Sequence, residues 1–154
     1  MYKRQTQFLG HIVRGETIKL VDGGTQKRAF TYIDDGVAAL MKIIDNPEHI
    51  ASGKIYNIGN PANNFSVRDL AKMMLDLALT YPEYAPTAKQ VRIVDTTADA
   101  YYGAGYQDVQ NRVPNIDNTM RDLAWRPTVT MKDALKHIFD AYRGQVLEAR
   151  QLVD

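Results

Sequence analysis

The 154-residue sequence contains no cysteine and only three histidines. Without cysteine, disulfide bonds and thiolate zinc sites are excluded. The three histidines, His11, His49 and His137, lie far apart in the sequence, and no two of them are four residues apart as on one face of a helix. We therefore expect no metal site.

Long apolar runs and an excess of charge of one sign are missing as well. No run approaches the roughly 20 apolar residues that a membrane-spanning helix needs, and no signal-peptide pattern opens the chain. The 19 basic and 18 acidic residues are interspersed and leave a net charge of +1, so no extended field of one sign attracts a polyanion. We expect a soluble, cytoplasmic protein without a membrane span or a nucleic-acid partner.

The sequence does contain a regular alternation of strand and helix patterns. Runs of apolar, aromatic and β-branched residues predict strands at Ile18–Val21, Ala29–Ile33, within KIYNIGNP (residues 54–61), and at Val91–Val94. Helical spacing and capping residues predict helices that begin near Thr6, Asp34, Ser66, Asp117 and Thr130. In the second of these helices, the apolar positions are Val37, Leu40, Met41 and Ile44. Strands that alternate with helices indicate an α/β fold.

The stretch KLVDGGTQKR, Lys19–Arg28, has glycines and basic residues that the packing of a core does not require. Its two glycines are followed by Lys27 and Arg28 and then by a predicted strand. A glycine turn lets backbone amides approach an anion, and an arginine at a strand edge can bind a phosphate with two hydrogen bonds. A nucleotide diphosphate would fit such a site, although a hairpin with a solvated basic tip is the alternative. The spacing of a P-loop is absent.

A second unusual stretch is YYGAGYQDVQNR, residues 101–112, which is rich in glycine and tyrosine. Gly103 and Gly105 form only a GxG pair, without the third glycine and the strand-turn-helix setting of a dinucleotide fingerprint. As a cofactor motif the pair is weak. A tyrosine-rich loop over the domain surface is the structural alternative.

Read together, KLVDGGTQKRAFTYIDDGVAAL, GKIYNIGNP and YYGAGYQDVQNR resemble the C-terminal part of an extended short-chain dehydrogenase/reductase, the NAD-dependent epimerase/dehydratase superfamily. Within that superfamily they are most similar to UDP-glucuronate oxidative decarboxylases: the domain of the bifunctional polymyxin resistance protein, which serves lipid A modification, and single-domain bacterial relatives. The pattern YYGxGYQDVxxR is the narrowest of the three and favours the decarboxylases. The likeness runs from about Thr6 to the C-terminus.

The resemblance implies roles for particular residues. Arg28 would hold the diphosphate, Tyr106 would contact the UDP-sugar, and Arg112 would be catalytic, as the proton donor in decarboxylation. Because a guanidinium has a pKa above about 12, it is a poor general acid, and we expect Arg112 to stabilise an enolate and to orient a water. The alternative is that Arg112 pairs with a surface carboxylate. The full set expected to bind the substrate is Lys19, Leu20, Val21, Asp22, Gly23, Gly24, Thr25, Gln26, Lys27, Arg28 and Tyr106.

The sequence lacks the GxxGxxG turn and the Tyr-x-x-x-Lys pair that this family uses for NAD. We therefore expect NAD to bind mainly to an N-terminal half outside this chain, and residues 6–154 to be the C-terminal UDP-sugar-binding part. Met1–Gln5 is expected to be a non-native prefix, since its codons can match the end of a common sequencing-library adapter. Alone, the chain is expected to be inactive and to expose the apolar edge of the KIYNIGNP strand.

Three interpretations of function follow. The first is part of an NAD-dependent UDP-glucuronate decarboxylase that forms a UDP-4-keto-pentose and is a homo-oligomer at full length. The second is a UDP-xylose or UDP-apiose synthase-type relative. The third is a non-catalytic sugar-nucleotide-binding module.

Overall fold

The computed structural model describes residues 4–97 and 109–151 of the chain, and these have a mixed α/β structure. The helices are α1 (Arg4–Arg14), α2 (Ile33–Asp45), α3 (Val67–Ala78), α4 (Ala85–Ala88), α5 (Asp117–Leu123), α6 (Met131–Tyr142) and α7 (Val146–Ala149). The strands are β1 (Ile18–Val21), β2 (Lys27–Ala29), β3 (Asn64–Ser66), β4 (Ile93–Thr96) and β5 (Asn111–Arg112). The predicted α/β class is confirmed.

Two compact units make up the described residues. Unit 1 takes in the chain up to Gln26, the part from Ser66 to Gln110, and the part from Leu135 onward; unit 2 combines Lys27–Phe65 with Asn111–Ala134. Across both described ranges, every helix is too short or too polar to cross a bilayer.

Unit 1 is built on a parallel pair of strands, β1 and β4, in which Ile18 is in register with Ile93 and Val21 with Thr96. The predicted bounds of β1 are confirmed. β4 begins two residues later than Val91, because the Val91 N–H donates to the Ala88 carbonyl and closes the turn after α4. The strand therefore starts only once that turn is complete.

Helices α1 and α3 pack with β1 to form the core of unit 1. Its fully buried side chains include Ile12, Ile18, Leu20, Leu70 and Met74. The predicted start of α3 at Ser66 is confirmed, and Ser66 and Asp69 form a capping box: the Asp69 N–H donates to Ser66 Oγ at 3.0 Å, and the Ser66 N–H donates to Asp69 Oδ2 at 3.1 Å.

Unit 2 contains a three-stranded sheet in the order β3-β2-β5, in which β2 and β5 are parallel. The predicted strand Ala29–Ile33 is wrong beyond Ala29. After β2 the Phe30 N–H donates to the Asn63 carbonyl at 3.0 Å, and Ile33 already begins α2. The aromatic and β-branched residues in this stretch therefore form the entry to a helix.

Helix α2 is apolar on two faces. On one, the fully buried Ala39 packs in a core cluster with Ala51, Ile116, Leu123 and Trp125. On the other lie the predicted apolar positions Val37, Leu40, Met41 and Ile44, which are exposed, Ile44 to 71%. The helix was predicted correctly, but its predicted apolar face is not the one that contacts the core of unit 2.

Residues 54–60, predicted as a strand, belong to no strand of the described structure. Their side chains nevertheless alternate: Tyr56 and Ile58 pack against the core cluster of unit 2, whereas Ile55 is 89% exposed. The segment is held on one side by α5, since Asn118 Nδ2 donates to the Ile55 carbonyl and Thr119 Oγ1 to the Asn57 carbonyl. No described strand lies beside it to complete a sheet.

Candidate functional site

Two of the residues singled out from the sequence, Arg28 and Arg112, are direct neighbours in the sheet of unit 2. Strands β2 and β5 pair in parallel with Lys27 opposite Asn111 and Arg28 opposite Arg112. Adjacent strands lie about 4.8 Å apart, and residues in register project to the same face of a sheet. The pairing therefore places two guanidinium-bearing side chains side by side.

Arg112 is the more exposed member of this pair. Its side chain makes no hydrogen bond or ion pair with any residue that the structure describes. Arg28 is half-buried, and its Nη1 donates to the Lys27 carbonyl at 2.6 Å. Like charges directly opposite each other in a sheet are destabilising. An anion between the two guanidinium groups would remove that repulsion and accept several charge-assisted hydrogen bonds.

Asparagines flank the arginine pair. Asn64 Nδ2 on β3 donates to Asn111 Oδ1 on β5 at 3.3 Å, although β2 lies between these strands in the sheet. The Asn64 Oδ1 atom is buried and has no hydrogen-bond partner among the described residues. Sequence reasoning missed both asparagines, because only the folded sheet brings them together.

The chain immediately after Arg112 is fixed by a close contact with Gly59. A Cβ atom at Gly59 would lie only 2.5 Å from Pro114 Cγ, so a side chain there would collide with the proline ring. Asn57 Nδ2 also donates to the Asn115 carbonyl at 3.0 Å. The NIGNP motif thus supports the strand that carries Arg112.

The beginning of α2 is tied to the chain around Thr128 by a buried carboxylate. Asp35, which is 6% exposed, accepts hydrogen bonds from the Thr128 N–H and hydroxyl and from the Val129 N–H. The Trp125 Nε1–H donates to the Asp35 carbonyl at 3.0 Å. Helix α2 follows β2 in the chain, so this network fixes the segment that comes after Arg28.

A salt bridge fixes the start of the 54–60 segment. Lys54 Nζ lies 2.9 Å from Asp122 Oδ2, and the Tyr56 hydroxyl donates to the same oxygen at 3.2 Å. The hydrogen bonds from Lys54 and then from Arg121 lower the pKa of Asp122 to about 2. Asp122 is therefore a carboxylate at any physiological pH.

The rest of the predicted substrate stretch, Lys19–Gln26, lies in unit 1. Lys19, Leu20 and Val21 belong to β1, and Leu20 and Val21 are core residues. Asp22, Gly23 and Gly24 follow with φ of 47°, 72° and 64°, which confirms the predicted turn. A Cβ at Gly24 would lie 3.1 Å from the Arg68 backbone nitrogen. Both this close contact and the positive φ favour glycine at this position.

Arg68, which sequence reasoning missed, holds this turn. Its Nε donates to the Gly23 carbonyl at 2.7 Å, and its Nη2 pairs with Asp95 on β4. Beyond the exposed Thr25, Gln26 is buried; its Nε2 donates to the Val21 carbonyl, while its Oε1 has no hydrogen-bond partner in the described part of the chain. No local sequence signal marks the contacts of Arg68, because its partners come from distant elements.

The structure thus brings Lys27, Arg28 and Arg112 together in unit 2, whereas Lys19–Gln26 belong to unit 1. Tyr106, Gly103 and Gly105 lie outside the described residues.

The described residues form neither a dinucleotide-binding turn nor a cluster of metal ligands. The only glycine turn in the candidate stretch, Asp22–Gly24, leads into β2 and not into a helix. It therefore lacks the helix N-terminus that binds the pyrophosphate of a dinucleotide, and these residues do not fit NAD. Within residues 4–97 and 109–151, no three His, Asp or Glu side chains lie together in a group that could hold a metal ion.

The chain belongs to the NAD dependent epimerase/dehydratase family, whose sequence pattern it matches over residues 2–59. Among solved structures it is similar to the PbgP3 protein from Burkholderia pseudomallei, with 59% identity and a TM-score of 0.85 over 99% of this chain and 42% of that one.

Two more distant structures share the fold. UDP-glucuronic acid 4-epimerase from Bacillus cereus, in complex with UDP-glucuronic acid and NAD, is 19% identical, with a TM-score of 0.74 over 94% of this chain and 40% of that one. UDP-glucose 4-epimerase from Thermotoga maritima, with UDP-glucose, is 20% identical, with a TM-score of 0.67 over 94% and 40%. The chain therefore spans well under half the length of each of these proteins.

Proposed function

We propose that this chain supplies the UDP-sugar-binding part of an NAD-dependent UDP-glucuronate oxidative decarboxylase. The observation that carries the proposal is the in-register pair of Arg28 and Arg112 on β2 and β5. Two neighbouring guanidinium groups suit a substrate that carries both a diphosphate and a carboxylate.

In the proposed reaction, the C4 hydroxyl of UDP-glucuronate is first oxidised by NAD+, a step that we assign to residues outside this chain. The resulting β-keto acid then loses its carboxylate: the bond from C5 to the carboxylate carbon breaks, and CO2 leaves. The electron pair of that bond forms an enolate whose negative charge lies on the C4 oxygen. Protonation at C5 then gives a UDP-4-keto-pentose.

Arg112 is assigned to the step in which CO2 leaves and the enolate forms. A fixed positive charge next to the developing enolate stabilises it without any proton transfer from the guanidinium itself. Arg28, one strand away, would hold the diphosphate and set the distance between the nucleotide and the reacting carbon. Lys19–Lys27 and Tyr106 stay predicted contacts of the UDP-sugar from the resemblance alone.

Related activities stay open as alternatives. A UDP-xylose or UDP-apiose synthase shares the oxidation and decarboxylation but treats the 4-keto intermediate differently, so product analysis separates it from the first proposal. A sugar-nucleotide-binding module without activity would bind the substrate and release no CO2. In the full-length protein, we expect NAD as cofactor and a homo-oligomeric assembly.

The test uses a chimera in which this chain is joined to the part of the Burkholderia relative that it does not match. With UDP-glucuronate and NAD+, the chimera should release CO2 and form UDP-4-keto-pentose. Arg112→Ala should lower kcat at least about a hundredfold, as loss of one electrostatic donor typically does. Arg112→Lys should restore little, if planar two-point geometry matters.

The matched control is Arg126→Lys together with Arg126→Ala, because Arg126 is an exposed arginine of the same unit. Neither control should change kcat. Conversion of UDP-glucuronate by the unsubstituted chimera without release of CO2 and without net formation of NADH would contradict decarboxylation and favour an epimerase or dehydratase. Near-full activity of Arg112→Lys would contradict the two-point role of the guanidinium.

A further inference from the structure

We infer that Arg68 is a positioning residue for the UDP-sugar, a role that rests on the proposed function. It lies in unit 1 and belongs to none of the three stretches that carry the family resemblance. Its side chain contacts two elements at once: Nε donates to the Gly23 carbonyl in the turn after β1, and Nη2 pairs with Asp95 on β4. These contacts hold the turn Asp22–Gly24 in the shape in which it receives the substrate.

The place of Arg68 on α3 is not explained by the helix itself. Arg68 is the second residue of α3, which begins at Val67. The N-terminal end of a helix carries a partial positive charge, so a cation in the first turn is unfavourable, whereas Asp69 suits this end. The guanidinium is stabilised instead by its partners outside the helix, the Gly23 carbonyl and the Asp95 carboxylate.

The turn that Arg68 holds has an unusual backbone. All three residues of Asp22–Gly24 have positive φ, which is uncommon for a residue with a side chain such as Asp22. Because a peptide group is planar, the hydrogen bond from Arg68 Nε to the Gly23 carbonyl, at 2.7 Å, fixes the orientation of the whole peptide between Gly23 and Gly24. Loss of the guanidinium would remove this restraint.

The other end of the turn is fixed by the same helix. The Val67 N–H donates to the Gln26 carbonyl at 3.1 Å. Lys27 and Arg28 follow directly in the chain as the first residues of β2. The first turn of α3 thus fixes residues 22–26 at two points, immediately before the arginine that is proposed to hold the diphosphate.

Asp95 orients the guanidinium of Arg68. It lies on β4 in register with Leu20 of β1, and its side chain is 61% exposed. A single ion pair at such an exposed position contributes little to stability. It does restrict the planar guanidinium, so that Nε stays directed at the Gly23 carbonyl. The pair therefore matters for the geometry of the turn more than for the stability of unit 1.

The experiment compares Arg68→Met with the unsubstituted protein in the chimera described above. Isothermal titration calorimetry gives the Kd of UDP-glucuronate, and its conversion with NAD+ gives kcat and KM. Arg68→Met should raise both Kd and KM at least about tenfold, because a turn that is no longer held must be ordered on binding. The kcat should stay within about twofold, since a contact that is equal in the ground and transition states does not change it.

Three conservative variants separate this role from a loss of stability. Asp95→Asn keeps an oxygen that accepts from Arg68, so it should bind UDP-glucuronate nearly as tightly as the unsubstituted chimera. Asp95→Leu removes the acceptor and should raise the Kd, though less than Arg68→Met, because the contact with Gly23 remains. Arg68→Lys should bind as weakly as Arg68→Met, since an ammonium group does not reproduce the two-point geometry.

Arg92→Met is the matched control. Arg92 is an exposed arginine of unit 1 that directly precedes β4, and its loss should change neither Kd nor kcat. Arg68 does not have the inferred role if Arg68→Met leaves the Kd unchanged, if kcat alone falls, or if Arg92→Met weakens binding equally. If Arg68→Met does not fold, equal binding by Asp95→Asn and Asp95→Leu contradicts the role, and weaker binding by Asp95→Leu alone supports it.

Failure of the proposed function gives a different result. Weaker binding of UDP-glucuronate by Arg68→Met, without CO2 release from any chimera, would support the role of Arg68 and contradict only the decarboxylase. An unsubstituted chimera that releases CO2, with an Arg68→Met variant of unchanged Kd, would contradict only the role of Arg68. Absence of UDP-glucuronate binding by the unsubstituted chimera would contradict both.

Discussion

At the scale of single residues, Asp35 shows how a buried polar group supports the site without belonging to it. It accepts three hydrogen bonds from Thr128 and Val129, and its own carbonyl accepts one from Trp125. Removal of the carboxylate would leave the Thr128 and Val129 N–H groups without these hydrogen bonds. The residue therefore stabilises the fold of unit 2 beyond its own burial.

We predict that Asp35→Ala lowers the free energy of unfolding of unit 2 by about 2 to 4 kcal/mol, since three hydrogen bonds to a buried carboxylate are lost. Urea denaturation followed by fluorescence measures this directly, because Trp125 is the sole tryptophan of the chain and lies in unit 2.

Asp34→Ala is the control. Asp34 is the exposed neighbour in the same first turn of α2, so its loss removes only a helix-dipole interaction of at most about 1 kcal/mol. Equal destabilisation by the two variants would show that the buried network does not act as described.

At the scale of elements, the sequence predicted those structural features that depend only on residues close together in the chain. The start of α3, the turn at Asp22–Gly24 and the strand β1 are set by local chemistry, and all three are confirmed. The periodicity of α2 located the helix but could not say which of its two apolar faces meets the core. That choice depends on residues far along the chain, such as Thr128, which lies 93 residues from its partner Asp35.

The tie between the 54–60 segment and α5 should depend on pH through Asp122. Its pKa of about 2 lies below the ordinary value of 3.8, which applies in the unfolded chain. A carboxyl group with a lowered pKa stabilises the folded state fully above the unfolded value, and this contribution is lost as the pH falls from about 4 toward 2. Unit 2 should therefore lose stability in that window.

Asp122→Asn should reduce this acid sensitivity, as measured by urea midpoints between pH 2 and pH 5. Asp45→Asn, at an exposed carboxylate of α2, is the matched control and should leave the pH dependence as it is. An unchanged acid profile in Asp122→Asn would show that the ion pair with Lys54 is not the titrating contact.

At the scale of the whole molecule, the sequence pointed to Arg28 and Arg112 as site residues but did not predict that they lie opposite each other in one sheet. The resemblance to the decarboxylases pointed to Arg28 and Arg112 separately, one for binding and one for catalysis. Their register across β2 and β5 follows from pairing between distant segments, which no local pattern encodes. The polar contacts of Asn64, Asn111 and Arg68 were missed for the same reason.

We predict that the 154-residue chain alone releases no CO2 from UDP-glucuronate in the presence of NAD+. The reason is chemical: the sequence has no Tyr-x-x-x-Lys pair, and the described residues offer no dinucleotide turn. Trapping of labelled CO2 measures the reaction, and the chimera described above is the positive control. Turnover by the purified chain would contradict the assignment of the oxidation step to residues outside it.

Because β5 has only two residues, a shift of this strand by a single residue would decide on which face of the sheet Arg112 lies. A strand of two residues has too few ladder hydrogen bonds to hold its own alignment, so the contact between Gly59 and Pro114 has to set it. Side chains alternate between the faces of a sheet, and a slip by one residue moves each of them to the opposite face. Inserting a single residue between Arg112 and Pro114 would thus exchange Arg112 for a neighbour beside Arg28, while an insertion of two would restore the face but displace the charge along the strand.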